Sequence, residues 1–422
     1  MSLARALALT LVLTVRLDAQ VTAIKAGRLI DTEGGTVLTN QIVLVRNGTI
    51  EAVGPNVTVP GDATVIDLSG MTVLPGLIDS HTHLADAPQG GEPRTITFKT
   101  AAANAYEAIP NAQKVLLAGF TTVRDVGVYR ALTDLAMRDA IARGAFPGPR
   151  MFVAGAYVTI TGGAGGMTGM APDVQLPWDM HYGEANSPWE VRQRIRMLAG
   201  QGVDLIKVLA TGAVLTHGSN KNAREFTYEE LQAAVDEAKN FGLKVAAHAH
   251  GAEGIKNAVK AGVASIEHGT YLDDEGIRLM KEHGTFLVPT LDVHSCIVAN
   301  PGTPADFLQH NQGMQETHFN GFRKAVQSGV KIAFGTDVPV CPMGDNGKEF
   351  AFMVQNGMTP MQAIQAATMG GAELIGVTKL VGSIKVGKSA DIIAVRGDPL
   401  KDVRALEQVS FVMKEGKVYK KE

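Results

Sequence analysis

Between about Leu74 and Gly376 the chain alternates short apolar runs with helix-like stretches, and few architectures accommodate that rhythm. The runs are VLPGLIDSH, TTVRDVG, RMFVAGAY, DLIKVLATG, KVAAHAHG, ASIEHG, TFLVPTL and KIAFGTDVP. Each is short and apolar, as a buried strand is, and several of the helices that follow carry explicit start signals. Ser187-Pro188-Trp189-Glu190 and Thr227-Tyr228-Glu229-Glu230 have capping-box spacing, with Pro188 at the first helical position. Gly242 supplies a stop for the second helix, and Thr359-Pro360 opens the helix MQAIQAATMGGAELIG. Eight strand–helix units over roughly 300 residues predict a (β/α)8 barrel, with a doubly wound parallel sheet as the alternative.

The flanks read differently. QIVLVRNGTIEAVG alternates around Asn47-Gly48, a type I′ hairpin signal, and GSIKVGKSADIIAV and VSFVMKEGKVYKK give similar short strands near the far end. Residues 21–73 and 377–422 are therefore expected to form one small β-sandwich domain built from both ends, around a barrel domain of residues 74–376. The first twenty residues, MSLARALALTLVLTVRLDAQ, place Arg5 before an apolar stretch and end on Ala19-Gln20. That is the pattern of a signal peptide, so a periplasmic or secreted protein is expected, with the cytoplasm as the alternative. The apolar stretch is too short to span a bilayer, and no other segment resembles a membrane span. A net charge of −3 without any basic block argues against nucleic acid as a partner. Cys296 and Cys341 form no disulfide framework and would pair only if the fold brought them together.

Barrel chemistry sits at the C-terminal strand ends. Here those ends carry His81 and His83, Lys207, His248 and His250, His268 and Asp337. His81 and His83 are two residues apart, so a strand points both to one face. Singly, each has an ordinary explanation: a polar loop, a snorkelling lysine, a hydrogen-bonded core histidine, a helix cap. Imidazoles and a carboxylate converging on one rim are, however, the donor set of a zinc-like divalent ion.

The motifs PGLIDSHTHL, GFTTVRDVG, IKVLATG, AHAHG, SIEHG, GTDVP and GSIKVGKSADI resemble those of the amidohydrolase superfamily over residues 21–422. With Lys207 on strand four and the run AHAHGAEGIKNAVKAGVASIEHGTYLDDEG, the chain is similar to its binuclear-metal prolidase-like carboxypeptidases and ochratoxin-hydrolysing amidohydrolases. The resemblance implies a distorted (β/α)8 TIM barrel with a terminal β-sandwich, holding two divalent metal ions, Zn2+ foremost. It implies that His81, His83 and Asp337 bind one ion, that His248 and His268 bind the other, and that an N-carboxylated Lys207 bridges them. Asp337 would move the proton, with His250 as a catalytic or substrate-binding group and Tyr271, Arg224 and His294 as further substrate contacts. The implied reaction is hydrolysis of the amide bond to a C-terminal prolyl or aromatic residue, N-acyl amino acids of the ochratoxin type included. The implied partners are a small-molecule or dipeptide substrate and further copies of the chain, an octamer by resemblance.

One departure stands out. Relatives often carry a histidine in the strand-three loop, where this chain reads TGGAGG, with Ala164 at that place. His181, His217, His283, His310 and His318 are expected to be ordinary surface residues. Two other function classes remain: a mononuclear deaminase or cyclic-amide hydrolase on the same fold, which generally lacks the strand-four lysine, and an inactive scaffold or binding protein.

Overall fold

The computed structural model describes residues 21–85 and 92–422; the expected signal peptide, residues 1–20, lies outside the described residues. Strands β1 (Val21–Asp31), β2 (Thr36–Arg46), β3 (Thr49–Gly54) and β4 (Thr64–Pro75) come first. Between β2 and β3, Asn47 and Gly48 both take positive φ, 51° and 77°, as a type I′ turn requires.

The barrel strands are β5 (Leu77–Thr82), β6 (Phe120–Asp125), β7 (Arg150–Val153), β8 (Tyr157–Val158), β9 (Leu205–Leu209), β10 (Lys244–Ala249), β11 (Ser265–His268) and β12 (Phe286–Val288). All pair in parallel, and the ring has two irregularities. The expected third strand is broken at Gly155, whose φ is 77°: β7 pairs with β6, and β8 pairs with β9. The expected eighth strand, residues 331–339, forms isolated bridges and no regular strand. It bridges Ile332 to Leu287 on one side and Val338 to Thr82 on the other. Backbone bonds from Ser80 N to Phe334 O and from Asp337 N to His81 O join it to the first barrel strand, 2.8 Å each. Those bonds close the barrel and exclude the doubly wound alternative, in which the outer strands stay apart.

Helices α1 (Ala101–Leu117), α2 (Thr133–Ala142), α3 (Pro188–Gln201), α4 (Tyr228–Asn240), α5 (Ala252–Ala261) and α6 (Asp274–His283) follow the strands in turn. Thr227 and Glu230 form the reciprocal capping box of α4. At α3 only half of that expectation appears. Ser187 caps Glu190 N, but the Glu190 carboxylate accepts from Asn186 N, one residue earlier. After β12 the repeat is interrupted by three helices, α7 (Val293–Ala299), α8 (Ala305–Asn311) and α9 (Met314–Ser328). Among the described residues no helix is long and apolar enough to cross a membrane.

The chain then returns to the first sheet with β13 (Ile392–Val395), β14 (Val409–Lys414) and β15 (Lys417–Lys421). The terminal β-sandwich is hydrogen-bonded as one continuous sheet of seven strands, in the order β15-β14-β13-β4-β1-β2-β3. Ile24, Val43, Leu68, Ile392, Phe411 and Met413 fill its own apolar core, separate from the barrel's. β4 runs straight into β5, so this sheet anchors the strand that delivers His81 and His83.

The fold does bring the two cysteines together. Cys296 in α7 and Cys341, four residues beyond Asp337, form a disulfide with Cα atoms 5.1 Å apart. It ties the loop after β12 to the loop after the eighth strand. Replacing both cysteines by serine is expected to lower stability by about 2–4 kcal/mol, read from the urea unfolding midpoint of the non-reduced protein. An unchanged midpoint would mean that the bridge constrains nothing the fold does not already hold.

Candidate metal centre

Inside the barrel, directly below the strand ends, lies a buried ion pair. Arg124 on β6 donates from Nη2 to Glu267 Oε1 at 2.7 Å, from Nη1 to Ser265 Oγ at 2.9 Å and from Nε to the Ser80 carbonyl at 2.6 Å. Burial alone would raise the Glu267 pKa, but Arg124 and His81 outweigh it and hold the carboxyl well below the usual range. An ionised carboxylate only accepts, so the 2.8 Å contact between Glu267 Oε2 and His81 Nδ1 places the proton on Nδ1. Nε2 then faces the barrel mouth. His83 is oriented the same way, its Nδ1 donating to the Gly127 carbonyl at 2.8 Å with Tyr157 Oη 3.0 Å away.

Both Nε2 atoms converge on Asp337 Oδ1, at 3.3 Å from His81 and 3.2 Å from His83. Burial opposes ionisation of Asp337, yet the two imidazoles hold it far below the ordinary carboxylate range. Two imidazole nitrogens and a carboxylate oxygen that meet at these distances offer a cation three ligand atoms.

His268 adds to this set. His81, His268 and Asp337 each offer a ligand atom within 4.8 Å of the others, whereas the expectation pairs His268 with His248. The His248 and His268 rings are nonetheless adjacent, with centroids 4.7 Å apart. His248 Nε2 is 3.3 Å from the Gly212 carbonyl, which leaves Nδ1 for the site. Burial first, then the charge of Lys207, pulls the His248 pKa down to about 3, so the ring is the neutral ligand form.

Lys207 is 1% exposed, and among the described residues no hydrogen bond or ion pair reaches its Nζ. Burial lowers its pKa to about 8, offset in part by Glu267 and Asp337. A snorkelling lysine would have its ammonium in water. This one ends in the cavity among imidazoles, and the surface reading fails.

The cavity, about 130 Å3, suits a small molecule or a peptide end and no folded chain. Leu209, Val214, Val293, Ile297 and Val340 form its apolar wall. His250 and His294 line it as expected. His250 has Nδ1 on Thr270 Oγ1 at 2.8 Å, leaving Nε2 as its available nitrogen. Both ring nitrogens of His294 are engaged, by Asn311 and by His318 at 2.9 Å, so it meets a substrate only through its ring. Two expected contacts are not brought to the cavity. Arg224 is exposed, on a segment bridged to Thr211, and Tyr271 packs against Val214, Ile297 and Met314 outside it.

Two histidines expected at the surface are structural parts of the site. His318, 1% exposed, lies behind His268. His217 bridges Asp306 and Glu92, 2.8 Å from each, while Arg94 grips Glu92 with two bonds of 2.9 Å. This clasp joins loops from three strand ends above the cavity, which Pro93 and Thr216 line. His181 and His283 are surface residues by comparison. Ala164 lines the cavity, its N–H held by both oxygens of Glu225 and its carbonyl by Thr216 Oγ1. Burial raises the Glu225 pKa to about 7 against the Ala164 bond.

Arg124, Glu267 and His318 were not singled out from the sequence. A signal existed for two of them. Arg124 and Glu267 are charges inside short, fully buried strands, at positions whose parity points into the barrel. Removing one partner of a buried pair strands the other, so Glu267→Gln is expected to cost about 3 kcal/mol in thermal or denaturant unfolding. A loss below about 1 kcal/mol would show that Arg124 finds another acceptor.

A model of the Amidohydrolase family matches residues 72–419. The ochratoxinase of Aspergillus niger is 31% identical over 96% of this chain and 87% of its own length. Among solved structures, a Xaa-Pro dipeptidase with methionine bound in its active site superposes with a TM-score of 0.89 at 39% identity, over 95% of this chain and 100% of that one. The A. niger ochratoxinase structure superposes with a TM-score of 0.85 at 30% identity, over 96% of this chain and 97% of that one.

Proposed function

The chain belongs to the amidohydrolase family of metal-dependent hydrolases, and on that premise we propose that it hydrolyses the amide bond to a C-terminal prolyl or aromatic amino acid, using two divalent ions. The observation that carries this reading is the buried Lys207 amine among His81, His83, His248, His268 and Asp337, without a hydrogen-bond partner among the described residues. A lone ammonium beside so many donors would repel a cation. Capture of CO2 by the neutral amine turns it into an anionic bridging ligand, and the depressed pKa favours that neutral form. His81, His83 and Asp337 would hold one ion, His248 and His268 the other, with the carboxylated Lys207 between them. Zn2+ suits this nitrogen-rich set. Ions so bound supply an activated water and a Lewis acid for the scissile carbonyl.

The protein's own groups do the rest. Asp337, kept ionised, accepts the proton of the attacking water and returns it to the departing nitrogen. His250 is neutral, because burial and the neighbouring His248 push its pKa far down; in the tautomer whose Nδ1 accepts from the Thr270 hydroxyl, its Nε2–H is free to donate to the oxygen that gains charge. The apolar wall takes the side chain of the leaving amino acid. The names of the two structures reported above, a Xaa-Pro dipeptidase and an ochratoxinase, suit such a leaving group. The Cys296–Cys341 disulfide suits an oxidising compartment, so we also propose that the protein is exported.

Elemental analysis of protein purified without chelator is expected to give two equivalents of metal per chain, with cleavage of N-acyl-phenylalanine or Xaa-proline substrates in the same sample. Lys207→Ala is expected to lose one equivalent and nearly all activity, with slight recovery in bicarbonate and short carboxylic acids. One equivalent in the wild-type chain, or full activity in the alanine variant, would favour the mononuclear reading.

Ala164 gives a separate prediction. An imidazole at this cavity-lining position would add a donor for the developing negative charge, and such a donor is worth about a hundredfold in turnover. Ala164→His is expected to raise kcat by about that factor at unchanged metal content. No gain would mean that His250 already fills the role.

A further inference from the structure

His268 faces the mouth against the alternation of its own strand. On β11, Ser265 and Glu267 point into the barrel towards Arg124, while Ile266 packs in the outer apolar core. By period two, His268 should follow Ile266 outwards. Its ring instead lies with its centroid 4.9 Å from that of His81 and 4.7 Å from that of His248. The backbone makes the difference: His268 has φ of 67°, a left-handed conformation that is unfavourable for a non-glycine residue. Something must hold it there.

Three contacts do. Gly269, itself left-handed, donates its N–H towards Glu267 O and Ala249 O, at 3.0 and 3.1 Å. Thr290 Oγ1 holds the ring through Nδ1 at 2.8 Å. His318 on α9 donates from Nε2 to the His268 carbonyl at 2.8 Å. A carbonyl only accepts, so the proton on Nε2 is fixed. The other nitrogen of His318 meets His294 Nε2 at 2.9 Å, and Asn311 holds both Nδ1 and the backbone carbonyl of His294. All three side chains are buried, and all come from the helices inserted after β12.

We infer that His318, oriented by His294 and Asn311, is a positioning residue that locks the His268 peptide in its left-handed conformation and so keeps this imidazole aimed at the metal site. The inference rests on the reading of His268 as a metal ligand. It gives the strand-seven insertion a function that its loop position alone does not suggest. Partners behind a ligand are commonly worth about ten- to a hundredfold in metal affinity.

The test uses full-length protein stripped with chelator and titrated with Zn2+ against a chromophoric competitor, with melting curves of the metal-free forms in parallel. His318→Ala is expected to bind one of the two ions about ten- to a hundredfold more weakly. His318→Gln retains an N–H donor on a chain of similar reach and is expected to recover most of that loss. His294→Phe fills the same space without the hydrogen bond to His318 and is expected to weaken the same ion by a few-fold. Wild-type affinity for both ions in His318→Ala would overturn the inference. So would a His318→Gln variant no better than alanine, which would reduce His318 to packing. A wild-type chain that takes up no Zn2+ at all would overturn the metal reading beneath it, a result distinct from either of these.

Discussion

The site depends on one buried chain of charge: Arg124 to Glu267 to His81. Dehydrating a guanidinium and a carboxylate is costly, and the interior tolerates the pair only because each is paired and hydrogen-bonded on several sides. That pairing keeps Glu267 ionised, and an ionised Glu267 dictates which nitrogen of His81 carries the proton. Which nitrogen of His81 points at Asp337 is therefore decided in the barrel floor. His83 receives the same instruction from a backbone carbonyl. The rigid barrel floor thus determines the tautomers of the ligands above it.

Strand geometry supplies the rest and also limits it. Regular alternation aims His81, His83, Lys207, His248 and His250 inwards at no conformational cost. His268 and Asp337 require positive φ, 67° and 61°, so part of the folding free energy is stored at two positions of the site. Close approach is needed as well. A side chain at Gly335 would come within 2.3 Å of Val288 and 2.8 Å of His81 Cβ, so the eighth segment passes beside the first strand only as glycine. These constraints explain why that segment forms no regular strand.

Above the metal centre the loops are held to each other as well as to their own strands. The disulfide ties the loop after β12 to the one that follows Asp337, and the His217 clasp joins Glu92 to Asp306. The cavity is consequently shaped by long-range contacts. Leu209, Val214, Val293, Ile297 and Val340 give it an apolar wall opposite the cluster of imidazoles.

The sequence by itself determined the barrel, the terminal sheet with its Asn47-Gly48 turn, and the strand ends that carry ligand chemistry. Those features are written locally, in alternation, capping and turn residues whose physics acts within a few positions. It also marked Lys207 as the residue separating two reaction types, although only its burial shows that the amine is not in water. Tertiary structure decided the rest. It moved Arg224 and Tyr271 away from the cavity, brought His217 and His318 into the site's support, paired Cys296 with Cys341, and turned His268 against its strand. Each of these depends on which segments meet across tens or hundreds of residues, and on backbone dihedrals that neighbouring side chains do not announce. A histidine has the same letter whether it binds an ion, holds the peptide of one that does, or faces water. The difference lies in the acceptor opposite each ring nitrogen, and only the folded chain puts that acceptor in place.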